Sequence, residues 1–197
     1  ARALTIDDNV PEKIKAICQN VDGQNRNLSV FASDVFETAL SYGLSHILVD
    51  MPVATGATLA DQKSTPYMAH IHPKRILGWR EVGGVLTQLR FKSVRSEADG
   101  EFGDKKVDVI TVLEPAFWRK YERTNDGTEW IVAGEGVNSL GEIPLVTIYT
   151  NRKGFMLAEP PLKELAHLNI KHWQSQSDQD KLLHTARVPL LVRIGAD

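Results

Sequence analysis

Val107-Asp108-Val109-Ile110-Thr111-Val112-Leu113 is dominated by β-branched residues and sends Val107, Val109, Thr111 and Leu113 to one side. That composition and period of two predict a strand. Working outward, residues 75–81 and 85–95 are two further strand-like runs that flank Gly83-Gly84, a plausible hairpin turn. Residues 96–106 are polar and contain Gly, and read as a connection. Downstream, residues 117–123 and 130–133 read as short strands, with Asn125-Asp126-Gly127 between them as a hairpin signal. Residues 75–133 are therefore expected to form an antiparallel meander. Residues 143–149 add another strand, which Pro144 pushes toward an edge.

The N-terminal third has a helical period. Pro11-Glu12 opens a stretch with Ile14, Ile17 and Cys18 at helical spacing, closed by Asp22-Gly23. A second helix is predicted over residues 28–42, with Val30, Phe31, Phe36, Ala39 and Leu40 as its apolar stripe and Gly43 as its C-cap. His46-Ile47-Leu48-Val49-Asp50 reads as a buried strand, and residues 51–66, rich in Ala, Thr, Gly and Pro, as a loop. After Pro160-Pro161 a long helix is expected to about Arg187. Leu162, Leu165, Leu168 and Ile170 give it an apolar start, but Gln174 to Lys181 reads QSQSDQDK, with nothing apolar to bury. The expected fold is α+β: N-terminal helices packed on a largely antiparallel sheet, followed by a long C-terminal helix. The expected division is a domain over 1–158 and a helical segment over 159–197.

With 42% hydrophobic and 24% charged residues, the 197-residue chain has the balance of a packed globular chain, so disorder is not expected. No apolar run reaches the ~18 residues of a membrane helix. The net charge of −2 is not that of a protein gripping nucleic acid over a broad face. The single Cys18 excludes an internal disulfide framework and reads as a small buried residue on a helix. The chain starts without Met and stops after a strand-like run, so it is expected to be a piece of a longer polypeptide.

Few residues offer chemistry. His70-Ile71-His72 would place two imidazoles on one side of a strand, as a metal site needs, but Pro73 follows and no further ligand completes a set. Asp50, after an apolar strand, is placed like a catalytic carboxylate but has no sequence partner. His167 and His172, five apart, are poorly aligned for shared ligation, and with His184 read as a solvated or interface face. Gly83-Gly84 and Gly134-Glu135-Gly136 read as turn glycines, not phosphate loops. Lys74-Arg75 and Trp79-Arg80 mix basic and aromatic residues in a way that can stack on nucleic acid, although packing is the commoner use. The expectation is a chain with no catalytic residue, cofactor or metal.

The order of segments carries a resemblance. The run from Phe36 to Gly43 is followed by His46-Ile47-Leu48-Val49-Asp50-Met51-Pro52, Thr65-Pro66-Tyr67 and Ile76-Leu77-Gly78-Trp79-Arg80. Later come Gly141-Glu142-Ile143-Pro144-Leu145-Val146, Tyr149-Thr150-Asn151-Arg152, Pro160-Pro161-Leu162, Leu165 through His172-Trp173-Gln174-Ser175-Gln176-Ser177-Asp178, and Leu183-His184-Thr185-Ala186-Arg187-Val188-Pro189. In order and spacing this resembles a portal-like family of unknown-function proteins from tailed phages and prophages, over nearly the whole chain. Thr65 departs from the Arg expected there. The resemblance implies a structural protein of a ring of about twelve copies, through which double-stranded DNA enters and leaves the capsid. Residues 1–158 would be wing-like. The helix near 161–187 would be stem-like, and the residues from Val188 would head toward a clip that meets the terminase and head-completion, capsid or scaffold proteins. The site would be the virion, and the host cytoplasm during assembly, with no membrane contact. Gln174, Gln176, Ser177, Asp178, Gln179 and Lys181 would form the oligomer or channel face. A slightly acidic surface suits a channel that passes DNA without holding it. Two alternatives remain: a phage-encoded metal-dependent nuclease using His70, His72 and Asp50, or a monomeric capsid adaptor or scaffold module.

Overall fold

The structure, a computed structural model, describes residues 6–51, 65–124, 127, 129–187 and 195. The chain falls into two compact units, residues 1–160 and 161–197. The first is α+β and wholly antiparallel in its described ladders; the second carries one long helix.

Helix α1 spans Glu12–Gln19 and α2 spans Leu28–Tyr42. Asn27 starts α2 by accepting the Val30 N–H at 3.0 Å, and Gly43, at φ 84, ends it by donating to the Ala39 carbonyl at 2.8 Å. The buried face of α2 is Phe31, Val35 and Ala39, spaced i, i+4, i+8. Val30 and Phe36, expected in the stripe, are 49% and 58% exposed. One narrow line faces the sheet, and these two lie off it. Helix α1 buries no residue, and Cys18 on it is half-buried rather than buried.

Strand β1 (Leu44–Asp50) is the centre of a three-stranded sheet, between β2 (Tyr67–Ile71) and β8 (Leu145–Tyr149). Its alternation sorts two layers. Ile47 faces the helical cluster of Val21, Phe31 and Val35, while Leu48 joins Ile71, Leu89, Phe91, Ile143 and Met156 in the core between the sheets. Strand β8 holds an edge, as Pro144 implied, but of this sheet rather than of the meander.

The meander runs β3 (Ile76–Val82), β4 (Val85–Asp99), β5 (Gly103–Leu113), β6 (Phe117–Thr124) and β7 (Ile131–Val137) in sequence order. Gly83 and Gly84, at φ 61 and 82, make the turn between β3 and β4. Two expectations are corrected here. Residues 96–106 are not a connection: Ser96–Lys106 through Asp99–Gly103 continue the β4–β5 ladder as a two-stranded arm. With both faces in solvent the arm needs no apolar alternation, and Glu97 opposite Lys105 supplies a charge pair instead. Gly134 and Gly136 are not turn glycines either. They lie inside β7, and a Cβ on Gly136 would meet the Trp118 indole at 2.9 Å, so their bareness makes room for that ring. Of the expected loop, residues 52–64 lie outside the described residues, as do Asn125, Asp126 and, apart from Gly195, the residues from Val188.

Strands β9 (Arg152–Gly154) and β10 (Leu157–Ala158) form a short ribbon. The second unit is helix α3, Lys163–Ala186.

Candidate functional site

Strand β1 places Ser45 and His46 side by side, both fully enclosed, with their side chains on opposite faces. On the helical side the Ser45 hydroxyl meets His70 Nε2 at 2.8 Å, and the His70 ring stands edge-on to Phe31. On the other side His46 Nδ1 meets Thr147 Oγ1 at 3.0 Å, and that hydroxyl donates to Met156 Sδ at 3.3 Å. The direction of the hydrogen bond between the Thr147 hydroxyl and His46 Nδ1 follows the tautomer of the imidazole. Burial, followed by the charge of His70, pushes His46 down to about 4, so its imidazole is neutral. Burial also lowers His70, then the charge of His72. His72 is lowered by burial, then by Lys74 and Arg75.

The expected His70–His72 pair does not share a strand face. Strand β2 ends at Ile71, and His72 caps the following 3-10 turn, Pro73–Arg75, by accepting the Lys74 N–H at 3.1 Å. Its ring stands edge-on to Tyr42 at 4.7 Å. Asp50 belongs to neither histidine. It accepts the Tyr67 hydroxyl at 3.0 Å and lines the cleft between the sheets, whereas His70, opposite Ile47, faces the helices. Burial, followed by the Asp50 charge and hydrogen bond, raises Tyr67 to about 12. Among the described residues no three His, Cys, Asp or Glu side chains gather to hold a metal ion. Trp79 and Arg80 also separate: Trp79 is opposite Leu89 on the inner face of the meander and Arg80 opposite Gln88 on the outer one.

Among the described residues of the first unit, two cavities stand out. The larger, about 730 Å³, lies between the sheets, with Leu48, Phe91 and Trp118 among its apolar walls and Arg95, Lys120 and Glu122 among its charged ones. The smaller, about 230 Å³, is lined by Tyr42, Leu44, His46, Pro73, Ile76, Trp79, Met156, Leu157 and Ala158.

Helix α3 holds the remaining candidates. At about 1.5 Å per residue it is roughly 36 Å long, and none of its residues is buried. This includes the apolar ones: Leu165, Leu168 and Leu183 are 59%, 63% and 49% exposed. At about 100° per residue, Leu165, Leu168, His172, Gln176, Gln179 and Leu183 fall within an arc of about 80°. Gln174, Ser177, Asp178 and Lys181 fall on the opposite side. The six residues expected to form one face thus belong to two. His167 and His184 lie off this stripe, toward the side of Gln174 and Ser177, and neither forms a ligand pair with His172, their offsets from it being five and twelve residues. Sequence reasoning missed His46, whose only signal was a polar residue inside an apolar run.

Residues 161–197, which are α3 and the segment after it, match the family described as a domain of unknown function, DUF4055. No curated protein matches the chain.

Proposed function

We propose that the chain is part of a portal-type structural protein of a tailed phage or prophage, with α3 as the element that packs between copies. The observation that carries this is the stripe on α3: leucines at both ends, glutamines in the middle, all in one line and none of it buried. An isolated helix of this kind is marginal in water and gains stability from neighbours. A closed ring of about twelve copies supplies the same neighbour to every copy. The ordered segment resemblance across the chain supports the same reading. In it the polar residues Gln174, Ser177, Asp178 and Lys181 face the DNA channel or solvent, and the protein meets the terminase and head-completion, capsid or scaffold proteins at assembly. The role is structural, in the virion and earlier in the host cytoplasm, without a cofactor.

Electron microscopy of the full-length protein tests it, with rings as the expected result. Replacing both Gln176 and Gln179 by Leu should perturb ring formation or DNA passage while the β unit stays folded. A full-length protein that remains monomeric would favour the adaptor reading. A doubly substituted protein that assembles and packages DNA like the wild type would remove the role given to α3. The nuclease reading finds less support, since Asp50 and His70 point to opposite faces of their sheet.

A further inference from the structure

The β4–β5 arm ends in an exposed aromatic. Phe102 is 93% exposed at the tip, the most exposed of the large apolar side chains among the described residues of the first unit. It is surrounded by Asp99, Glu101 and Asp104, all exposed, and Gly100 at φ 73 makes the turn beneath it. An aromatic held out in water on a two-stranded ribbon contributes nothing to its own fold, and large exposed apolar groups of this sort mark contact sites.

The same unit contains a receptacle of matching size and opposite charge. The smaller cavity, about 230 Å³, has apolar walls from Leu44, Ile76, Trp79 and Met156. A dry cavity of about 150 Å³ is enough to take a benzene ring. Its floor carries no charge, because His46 is held neutral. Three cations adjoin its wall residues. Lys74 stands 5.2 Å from the ring of Tyr42, a wall residue; Arg75 follows it in the turn; Arg152 pairs with Ala158, another wall residue. The carboxylate nearest in sequence, Glu159, is ion-paired with Lys153 at 3.5 Å.

The arm does not reach its own cavity. Trp79 lies opposite Leu89, and Asp99 at the arm's end is ten residues farther along β4. At about 3.3 Å per residue that places the tip roughly 33 Å away along a continuous strand.

We propose that Phe102 of one copy inserts into the cavity beside Trp79 of a second copy, with Asp99, Glu101 and Asp104 set against Lys74, Arg75 and Arg152. Donor and acceptor surfaces differ, so the contact is head-to-tail, the kind that closes into rings or extends into filaments. It involves residues of the first unit alone and stands or falls separately from the role proposed for α3.

The test is site-directed cross-linking of the full chain in a Cys18→Ser background. One variant carries Glu101→Cys beside the anchoring ring; the other carries Leu157→Cys at the cavity rim. Both positions are exposed, and unchanged thermal melting checks that the fold is kept. A short bis-maleimide should join the two variants when mixed, and join either one to itself far less. Adding Phe102→Ala to the arm variant should lower the yield about tenfold to a hundredfold, the range for losing one buried phenyl group. Lys74→Glu in the rim variant should also lower it. A mixture that cross-links no better than each variant alone overturns the proposal, as does a yield that survives Phe102→Ala. Because this readout is local, association through α3 neither mimics nor masks it.

Discussion

Gly43 joins three parts of the first unit, and replacing it with Ala should cost far more than an ordinary turn glycine. It ends α2 at φ 84, and its carbonyl accepts the Thr150 N–H at 2.9 Å and shares the Thr150 hydroxyl, at 3.0 Å, with the Ala39 carbonyl at 2.9 Å. A Cβ there would lie 2.7 Å from the Glu159 carbonyl carbon and 2.9 Å from the Pro160 nitrogen. Those are backbone atoms, tied by the Glu159 N–H to the Asn151 carbonyl at 3.0 Å. Two costs therefore add. The left-handed conformation costs an L-residue roughly 1–2 kcal/mol. Forcing residues 159–160 aside is an overpacking cost of about 1–3 kcal/mol. The total for Gly43→Ala is about 2–5 kcal/mol. Gly141→Ala is the control: it has φ 71 but nothing within 4 Å of its Cβ, so it should show the first cost alone. Urea unfolding followed by tryptophan fluorescence reads the difference, with Trp173 replaced by Phe so that Trp79, Trp118 and Trp130 report on the first unit. Equal destabilisation of the two variants would refute the close-approach argument.

Leu89→Ala empties the centre of the core, where Leu89 is 0% exposed, and should cost about 2–5 kcal/mol in the same urea assay. Gly136→Val should displace the Trp118 ring, shifting its emission and costing about 1–3 kcal/mol. His46 is neutral when folded and titrates at about 4, below its ordinary 6.5, so the unfolded chain binds the extra proton first. Its contribution is therefore complete above about pH 6.5 and declines as pH falls toward 4. His70 and His72 are lowered in the same direction and add to the slope. His46→Gln should flatten most of the loss measured between pH 6.5 and 4; an unchanged slope would exclude His46 as its main source.

The elements that the sequence disclosed are those in which one face is buried. The run from Val107 to Leu113 alternates because its odd positions enter the core, and α2 has caps that each satisfy a specific backbone group. The arm was hidden because neither of its faces is buried, so no apolar period marks it. The β7 glycines were misread because their reason lies across the sheet, in Trp118, and local sequence does not carry a cross-strand partner. Pairing of β8 with β1 rather than the meander is a long-range choice that Pro144 constrained only to an edge. The histidine cluster was equally opaque. His70 looked like half of a metal pair, yet its partner is Ser45, and His46 became visible only once β1 was placed between two layers.

Helix α3 shows how position changes the meaning of composition. As a string, Gln174 to Lys181 is uniformly polar; on a helix, only Gln176 and Gln179 continue the line of Leu165, Leu168 and Leu183. In the proposed assembly those two amides enter a seam between helices, where each buried donor and acceptor needs a partner. Leucine ends then supply the attraction, and the glutamines restrict the register in which copies pair, as a polar residue within an apolar seam does in coiled coils. That distinguishes the outcomes of substitution. Leu at both positions strengthens contact but removes the restriction, so it should yield heterogeneous assemblies rather than monomers. Changing Gln174 and Lys181 on the opposite side should leave the subunit count as it is and alter only what faces the channel or solvent.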